Sequence, residues 1–332
     1  MTIRVAIVGT GKVADQNYLP HIVKNDDVVL SYYNRTQAKA QALADKYGGR
    51  VAASITDLMA DDPETVLVLT METDRYQATD ALLAHKPRRI FFEKPLVAMR
   101  GQADVSEEDF AKGKELLQRA LAVGTETAMV FNYRFFEQTQ RAKATLAERA
   151  FGRPVHFTGL VHYACWSHCI DLVLDFMGPA EVITALASGQ PGPCMGSENV
   201  TAVTAAVRMI NDATGTIVGR CDIDFKLPLY ELTFAYEHGR ISMRDLDGSM
   251  DVLDYRTGLH EMYDLPRDVS RWDQYRASFG SYMNACLDSI RAGDPQPEPG
   301  QAGLRELQFE AGIKRSIACG APVVLEEVFS LG

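Results

Sequence analysis

What this sequence does not contain narrows it first. No apolar run approaches the roughly 20 residues that a membrane-spanning helix requires. The opening residues, TIRVAIVGTG, already read as folded structure and not as a cleavable leader. Basic residues are not in excess. Lys and Arg number 34 against 44 Asp and Glu, a formal charge of −10, which argues against general attraction to nucleic acid or to anionic membranes. There is no internal repeat and no low-complexity tract. Only six cysteines occur, Cys165, Cys169, Cys194, Cys221, Cys286 and Cys319. Scattered through a chain of this size, they are expected to be reduced core thiols in a cytoplasmic protein and not a disulfide framework.

What is present suits an ordinary globular protein. An apolar content of 46% with 23% charged residues over 332 positions supplies a sizeable core and exceeds one typical domain. Over the first 130 residues, short apolar runs (RVAIV, VVLSYY, TVLVLT, RRIFF, TAMVFNY) alternate with helix-like stretches such as AKAQALADKYG and RYQATDALLAH. Near-continuous apolar strands between helices predict a parallel sheet covered on both faces. After about residue 150 the strands follow one another through short turns, with His238-Gly239 expected as a hairpin turn, so an α+β second half is predicted. Helices are expected around residues 275–292 and 301–319, separated by the breaker GDPQPEPG. The division is placed at 1–125 and 126–332.

The clearest chemistry is the turn Gly9-Thr10-Gly11-Lys12-Val13-Ala14, directly after RVAIV. Gly9 permits a tight turn, Gly11 lets the backbone approach a pyrophosphate, and Ala14 keeps the next helix close to the sheet. Phosphates would sit on that helix's N-terminus. The second strand ends in Asn34-Arg35-Thr36, where an NAD site usually carries a carboxylate for the ribose. Asn34 does not repel a 2′-phosphate, Arg35 is able to pair with one, and Thr36 is able to donate to it. NADP(H) is therefore expected over NAD(H). Thr70, after the strand TVLVL, falls where the cofactor should pass.

At Phe92-Glu93-Lys94-Pro95 the chain resembles the glucose–fructose oxidoreductase / inositol dehydrogenase / MocA (Gfo/Idh/MocA) family. The resemblance extends through VFNYRF, the His-x-x-Asp-Leu at 168–172, and the tail from MNACLDSIRAG to GAPVVL. It implies an N-terminal Rossmann domain and a C-terminal domain with an open, mostly antiparallel sheet that often mediates oligomerisation, so a homodimer or homotetramer is expected. It also implies that Glu93 and Lys94 lie at the cofactor, with Lys94 beside the nicotinamide and the substrate carbinol, able to relay a proton as hydride moves. By the same resemblance, His168 becomes a candidate acid/base toward a sugar, cyclitol or related polyhydroxylated substrate.

The run HYACWSHCIDL, residues 162–172, also has readings of its own. As a helix from Ser167, its N-cap, it places Cys169, Leu172, Val173, Phe176 and Met177 on one apolar stripe. His168 then falls in the first turn. Asp171 would orient it or pair at the surface. Zinc bound by His162, Cys165, His168 and Cys169 suits the ligand types, but Cys169 belongs to the apolar stripe, and no metal is expected. Many relatives carry an acidic residue where this chain has Ala164. Tyr163 is either a substitute hydroxyl donor or a buried aromatic. Asn132 and Arg134 either face the substrate or tie the two halves together. Two rivals stay open: a cofactor-binding sensor that has lost catalysis, and a reductase of a non-sugar imine or semialdehyde.

Overall fold

In a computed structural model, residues 2–246, 248–264, 266 and 268–332 are described. The strands, in chain order, are β1 (Ile3–Val8), β2 (Val28–Tyr33), β3 (Arg50–Val51), β4 (Thr65–Val68), β5 (Arg89–Glu93), β6 (Glu126–Val130), β7 (Pro154–His162), β8 (Ala180–Ala187), β9 (Gly192–Cys194), β10 (Ser197–Val200), β11 (Val203–Met209), β12 (Thr214–Arg220), β13 (Tyr230–Tyr236), β14 (Gly239–Arg244), β15 (Ser249–Asp254), β16 (His260–Tyr263) and β17 (Val323–Val324). The helices are α1 (Leu19–Ile22), α2 (Gln37–Tyr47), α3 (Ile55–Met59), α4 (Glu72–Leu83), α5 (Glu107–Ala122), α6 (Glu137–Arg149), α7 (Trp166–Met177), α8 (Arg271–Ala292), α9 (Gln301–Cys319) and α10 (Leu325–Val328).

The chain divides into two compact units. The first comprises residues 1–99, 108–131 and 279–304; the second comprises 100–107, 132–278 and 305–332. This differs from the expected division at 125/126. Strand β6 pairs in parallel with β5, so its hydrogen bonds carry the first unit to Phe131. The chain then returns late: Tyr282 on α8 donates to the Met129 carbonyl at 2.8 Å, and Phe279 packs edge-on against Tyr18 at 5.1 Å.

In the first unit, six strands lie in the order β3-β2-β1-β4-β5-β6, all parallel. Strands β1 and β4 are buried along almost their whole length, as a sheet covered on both faces requires. In the second unit, nine strands run in the order β16-β15-β14-β13-β7-β12-β11-β8-β17. All neighbours are antiparallel except β7 and β12. Burial alternates along β11 and β13, the mark of one packed and one open face. The packed face takes α7 against β7 and β13. Small residues make room there: a Cβ on Gly215 would stand 2.2–2.5 Å from the Phe157 ring opposite.

Several local expectations shift. The helix around 275–292 begins at Arg271, because Ser270 and Asp273 form a reciprocal cap, Ser270 Oγ accepting from Asp273 N–H at 3.2 Å and Ser270 N–H donating to Asp273 Oδ2 at 3.1 Å. The hairpin turn is Glu237-His238, since Gly239 already pairs with Tyr236. Cys194 and Cys221 form a disulfide with Cα atoms 5.8 Å apart, which corrects the reading of six reduced core thiols. Their 27-residue separation gives no hint in sequence that the β9–β10 hairpin and the end of β12 meet. Of the others, Cys165, Cys169 and Cys286 are buried and Cys319 is exposed. No helix among the described residues is long and apolar enough to cross a membrane.

Replacing Gly215 with Ala should leave the fold intact but cost about 1–3 kcal/mol through overpacking against Phe157; a lowered unfolding midpoint in urea checks this.

Candidate active site

Strand β1 delivers the chain to Gly9 with φ +96°. A Cβ there would stand 2.6–2.8 Å from the backbone of Leu69 and Thr70. Glycine is therefore required twice, by conformation and by contact. The helix that follows makes its first i→i−4 bond from Asp15 N–H to the Gly11 carbonyl, 3.2 Å, so the amides of its first turn have no intrahelical acceptor. Over Ala14–Tyr18 it widens into a π-helical stretch, just before Pro20, which has no N–H to give to an i−4 carbonyl. A Cβ on Gly11 would meet nothing within 4 Å. Open space over a glycine at a helix N-terminus is what a pyrophosphate needs.

That space belongs to a cavity of about 500 Å³ lined, among others, by Gly9, Gly11, Lys12, Val13, Asn34, Arg35, Thr36, Lys39, Thr70, Asp74 and Gln77. Eight of the residues expected at the cofactor are therefore gathered here. Thr10, Glu93 and Lys94 are not part of the lining. The Thr10 N–H instead donates to Asn34 Oδ1 at 3.2 Å, so Asn34 latches the glycine turn in addition to lining the cavity. Thr70 Oγ1 is buried with no hydrogen-bond partner among the described residues, a polar atom placed for a ligand. These features fit a dinucleotide.

Sequence reasoning missed Lys39 and Asp74. Asp74 Oδ2 lies 2.5 Å from Arg35 Nη2, so the carboxylate absent from the end of β2 is supplied by α4. Its 39-residue distance from Arg35 in sequence hides this; its place in the first turn of a helix after β4 was the one available signal. At the end of β5, Glu93 accepts from Tyr18 OH at 2.8 Å and from the Lys94 N–H at 2.7 Å. The Lys94–Pro95 peptide is cis.

In the second unit the opening of α7 also differs from expectation. A 3-10 turn over Tyr163–Cys165 precedes it, and Cys165, not Ser167, is the N-cap residue. His162 Nδ1 takes the Ala164 N–H at 3.0 Å and so replaces the expected serine cap one turn earlier. His168 stays in the first turn, buried, with its ring stacked on Tyr133 at 4.0 Å and 9°. Tyr133 also stacks on Phe136 at 4.4 Å, and its hydroxyl lies 3.2 Å from Cys165 Sγ. Tyr133 was not singled out from the sequence, although the cluster NYRFF was its signal.

Three expected roles change. Tyr163 donates its hydroxyl to the Thr201 carbonyl at 2.7 Å, and burial pushes its phenol pKa up; the hydroxyl-donor reading gives way to the buried aromatic. Arg134 is committed to carboxylates, with Nε and Nη2 on Asp171 at 2.7 and 2.6 Å and Nη1 on Asp175 at 3.2 Å. A substrate anion would have to displace this fork. Asp171 is accordingly neither at the surface nor the orienter of His168; burial pushes its pKa up to about 6 against the pull of Arg134. Asn132, fully buried, donates to Ser278 Oγ at 2.8 Å. Among the described residues no group of three His, Cys, Asp or Glu is arranged to hold a metal ion.

Residues 3–123 match the oxidoreductase family described as having an NAD-binding Rossmann fold, Gfo/Idh/MocA. Over those residues the chain is similar to the Gfo/Idh/MocA family. A D-glucoside 3-dehydrogenase of Escherichia coli (strain K12) is 28% identical over 156 residues, spanning 45% of this chain and 40% of that protein. Among solved structures, an oxidoreductase from Agrobacterium radiobacter in complex with NAD+, L-tartaric acid and magnesium is similar with TM-score 0.81 at 16% identity, covering 99% of this chain and 100% of that one. A levoglucosan dehydrogenase in complex with NADH and levoglucosan gives TM-score 0.81 at 16% identity, covering 98% and 100%. At such identities the likeness carries the fold. The parallel Rossmann-type sheet and the mostly antiparallel second sheet are shared with these solved structures.

The two loop glycines should separate cleanly. Gly9→Ala should destabilise the unit, whereas Gly11→Ala should melt like the wild type yet bind NADPH at least ~10-fold more weakly, by clash with the pyrophosphate. Cofactor titration alongside thermal melting checks both, and unchanged affinity in Gly11→Ala would remove the pyrophosphate from this turn.

Proposed function

We propose that this protein is a nicotinamide-dependent oxidoreductase that interconverts a carbinol and a ketone on a sugar, cyclitol or related polyhydroxylated molecule. The observation that carries the reading is the cavity over Gly11, with open space where a Cβ would stand. A nicotinamide dinucleotide, when bound, supplies or accepts the hydride. Lys94, at the carboxyl end of β5, holds or delivers the proton at Nζ that the carbinol oxygen loses or gains. A cationic ammonium there also favours developing alkoxide charge. We retain His168 as a second candidate acid/base. The D-glucoside 3-dehydrogenase and the levoglucosan dehydrogenase support the substrate class.

NADP(H) is the proposed cofactor. The Asn34-Arg35-Thr36 end of β2 lines the cavity together with Lys39, and Arg35 is 76% exposed there. Asp74 opposes this, because its carboxylate holds Arg35 and would face a 2′-phosphate. Selectivity is thus a contest between one carboxylate and the cations of the rim. The proposal extends to assembly through the open face of the second sheet. Thr158, Thr216, Thr233 and Ser242 stand in adjacent register there, beside the exposed Leu160 and Leu186. A cytoplasmic setting belongs to the same reading, and the Cys194–Cys221 disulfide is the observation against it.

Lys94→Ala should lower turnover by about 10²–10⁴-fold while cofactor affinity stays within a few-fold; near-normal turnover of a glucoside or keto-sugar would refute the role. Arg35→Ala should weaken NADPH by about 10-fold or more, the size of a charge-assisted hydrogen bond, and NADH little. Asp74→Asn should move the NADPH/NADH affinity ratio the other way. Equal effects on both cofactors would sink the NADP assignment.

A further inference from the structure

Arg75 is a guanidinium sealed inside the first unit, 2% exposed. It sits on α4 immediately after Asp74, with the opposite fate: Asp74 reaches the cavity rim, and Arg75 points inward. One arm, Nη2, donates to the Thr70 carbonyl at 3.0 Å; the other, Nη1, donates to the Pro95 carbonyl. The first acceptor belongs to the loop after β4 that lines the cofactor cavity. The second belongs to the residue that follows Lys94. The carboxylates of Glu93 and Glu72 lie close enough to favour the Arg75 charge, against the burial that disfavours it.

Burying a guanidinium carries a desolvation cost that an apolar side chain of similar length would avoid. The two terminal nitrogens of a guanidinium reach the two carbonyls separately and in a fixed plane, which an apolar side chain cannot do and which a lysine, a point charge, does not match. We infer that Arg75 is a positioning residue, whose fork holds the Thr70 and Pro95 carbonyls in register and so presents Lys94 beside the wall of the cofactor cavity. The inference rests on the reading of Lys94 as the proton-transfer residue. Glu93 completes the arrangement from the other side, since it takes the Lys94 N–H and is itself held by Tyr18.

The test uses the full chain with Arg75→Lys, which keeps the charge and loses the fork, and Arg75→Met, which loses both. Each is made with and without Lys94→Ala. Amide hydrogen exchange at residues 70–73 and 94–98 reads the clamp directly, and both segments should lose protection together in Arg75→Met. With NADP+ and methyl β-D-glucopyranoside, Arg75→Lys should lower kcat by about 10–100-fold with KM for NADP+ nearly unchanged, and should add less than about twofold in the Lys94→Ala background, because residues acting as a unit are not additive. Unchanged exchange at 94–98, or the same fold-loss in both backgrounds, overturns the positioning role and leaves Lys94 standing. Lys94→Ala with wild-type turnover overturns the Lys94 reading itself, and this inference falls with it. Should Arg75→Met fail to fold, Arg75→Lys carries both readouts.

Discussion

The cofactor end of this molecule depends on one steric constraint. The backbone at Gly9 passes so close to Leu69 and Thr70 that no side chain fits between them. That approach brings the first and fourth strands' loops onto the same wall, opens the space above Gly11, and leaves the next helix's first amides without intrahelical partners. The parallel order β2-β1-β4 makes the approach possible, because β1 is hydrogen-bonded on both sides and both loops leave at the same edge. Asn34 then fixes the glycine turn by taking the Thr10 amide proton.

Two arginines, Arg75 buried and Arg134 half-buried, extend the same logic with different partners. Arg75 meets backbone carbonyls, so its charge is balanced only at a distance by Glu93 and Glu72. Arg134, half-buried, meets two carboxylates, of which Asp171 is buried. The second arrangement satisfies both members by a planar fork and holds α7 to the segment before α6; removing either partner would leave an uncompensated buried charge. The first arrangement ties the loop after β4 to the loop after β5. Burial of charge thus marks a packing joint in one unit and a joint beside the cofactor cavity in the other.

Much of the fold was legible because periodicity is local. Near-continuous apolar strands alternating with helices announced the parallel sheet, and consecutive strands joined by short turns announced the antiparallel one. The glycine turn was legible for the same reason, since its chemistry lies within six consecutive residues. The helix start at Arg271 is also written locally, in the capping pair Ser270 and Asp273. The unit boundary was not legible: β6 follows from hydrogen bonds to β5, and α8 returns from more than 140 residues away.

The candidate site divides along the same line. Residue order alone settled the glycine turn after β1, the likeness of residues 3–123 to the Gfo/Idh/MocA family, and the position of Lys94 just after a strand, because each is a short contiguous pattern with a fixed backbone consequence. Tertiary structure alone decided what surrounds them. It brought Asp74 to Arg35, enclosed Arg75 between the Thr70 and Pro95 carbonyls, committed Arg134 to Asp171, joined Cys194 to Cys221, and spent the Tyr163 hydroxyl on Thr201. The physical reason is common to all five. A charge, a hydroxyl or a thiol takes its role from the partner it reaches, and partners separated by tens of residues meet only through the pairing of strands and the packing of helices.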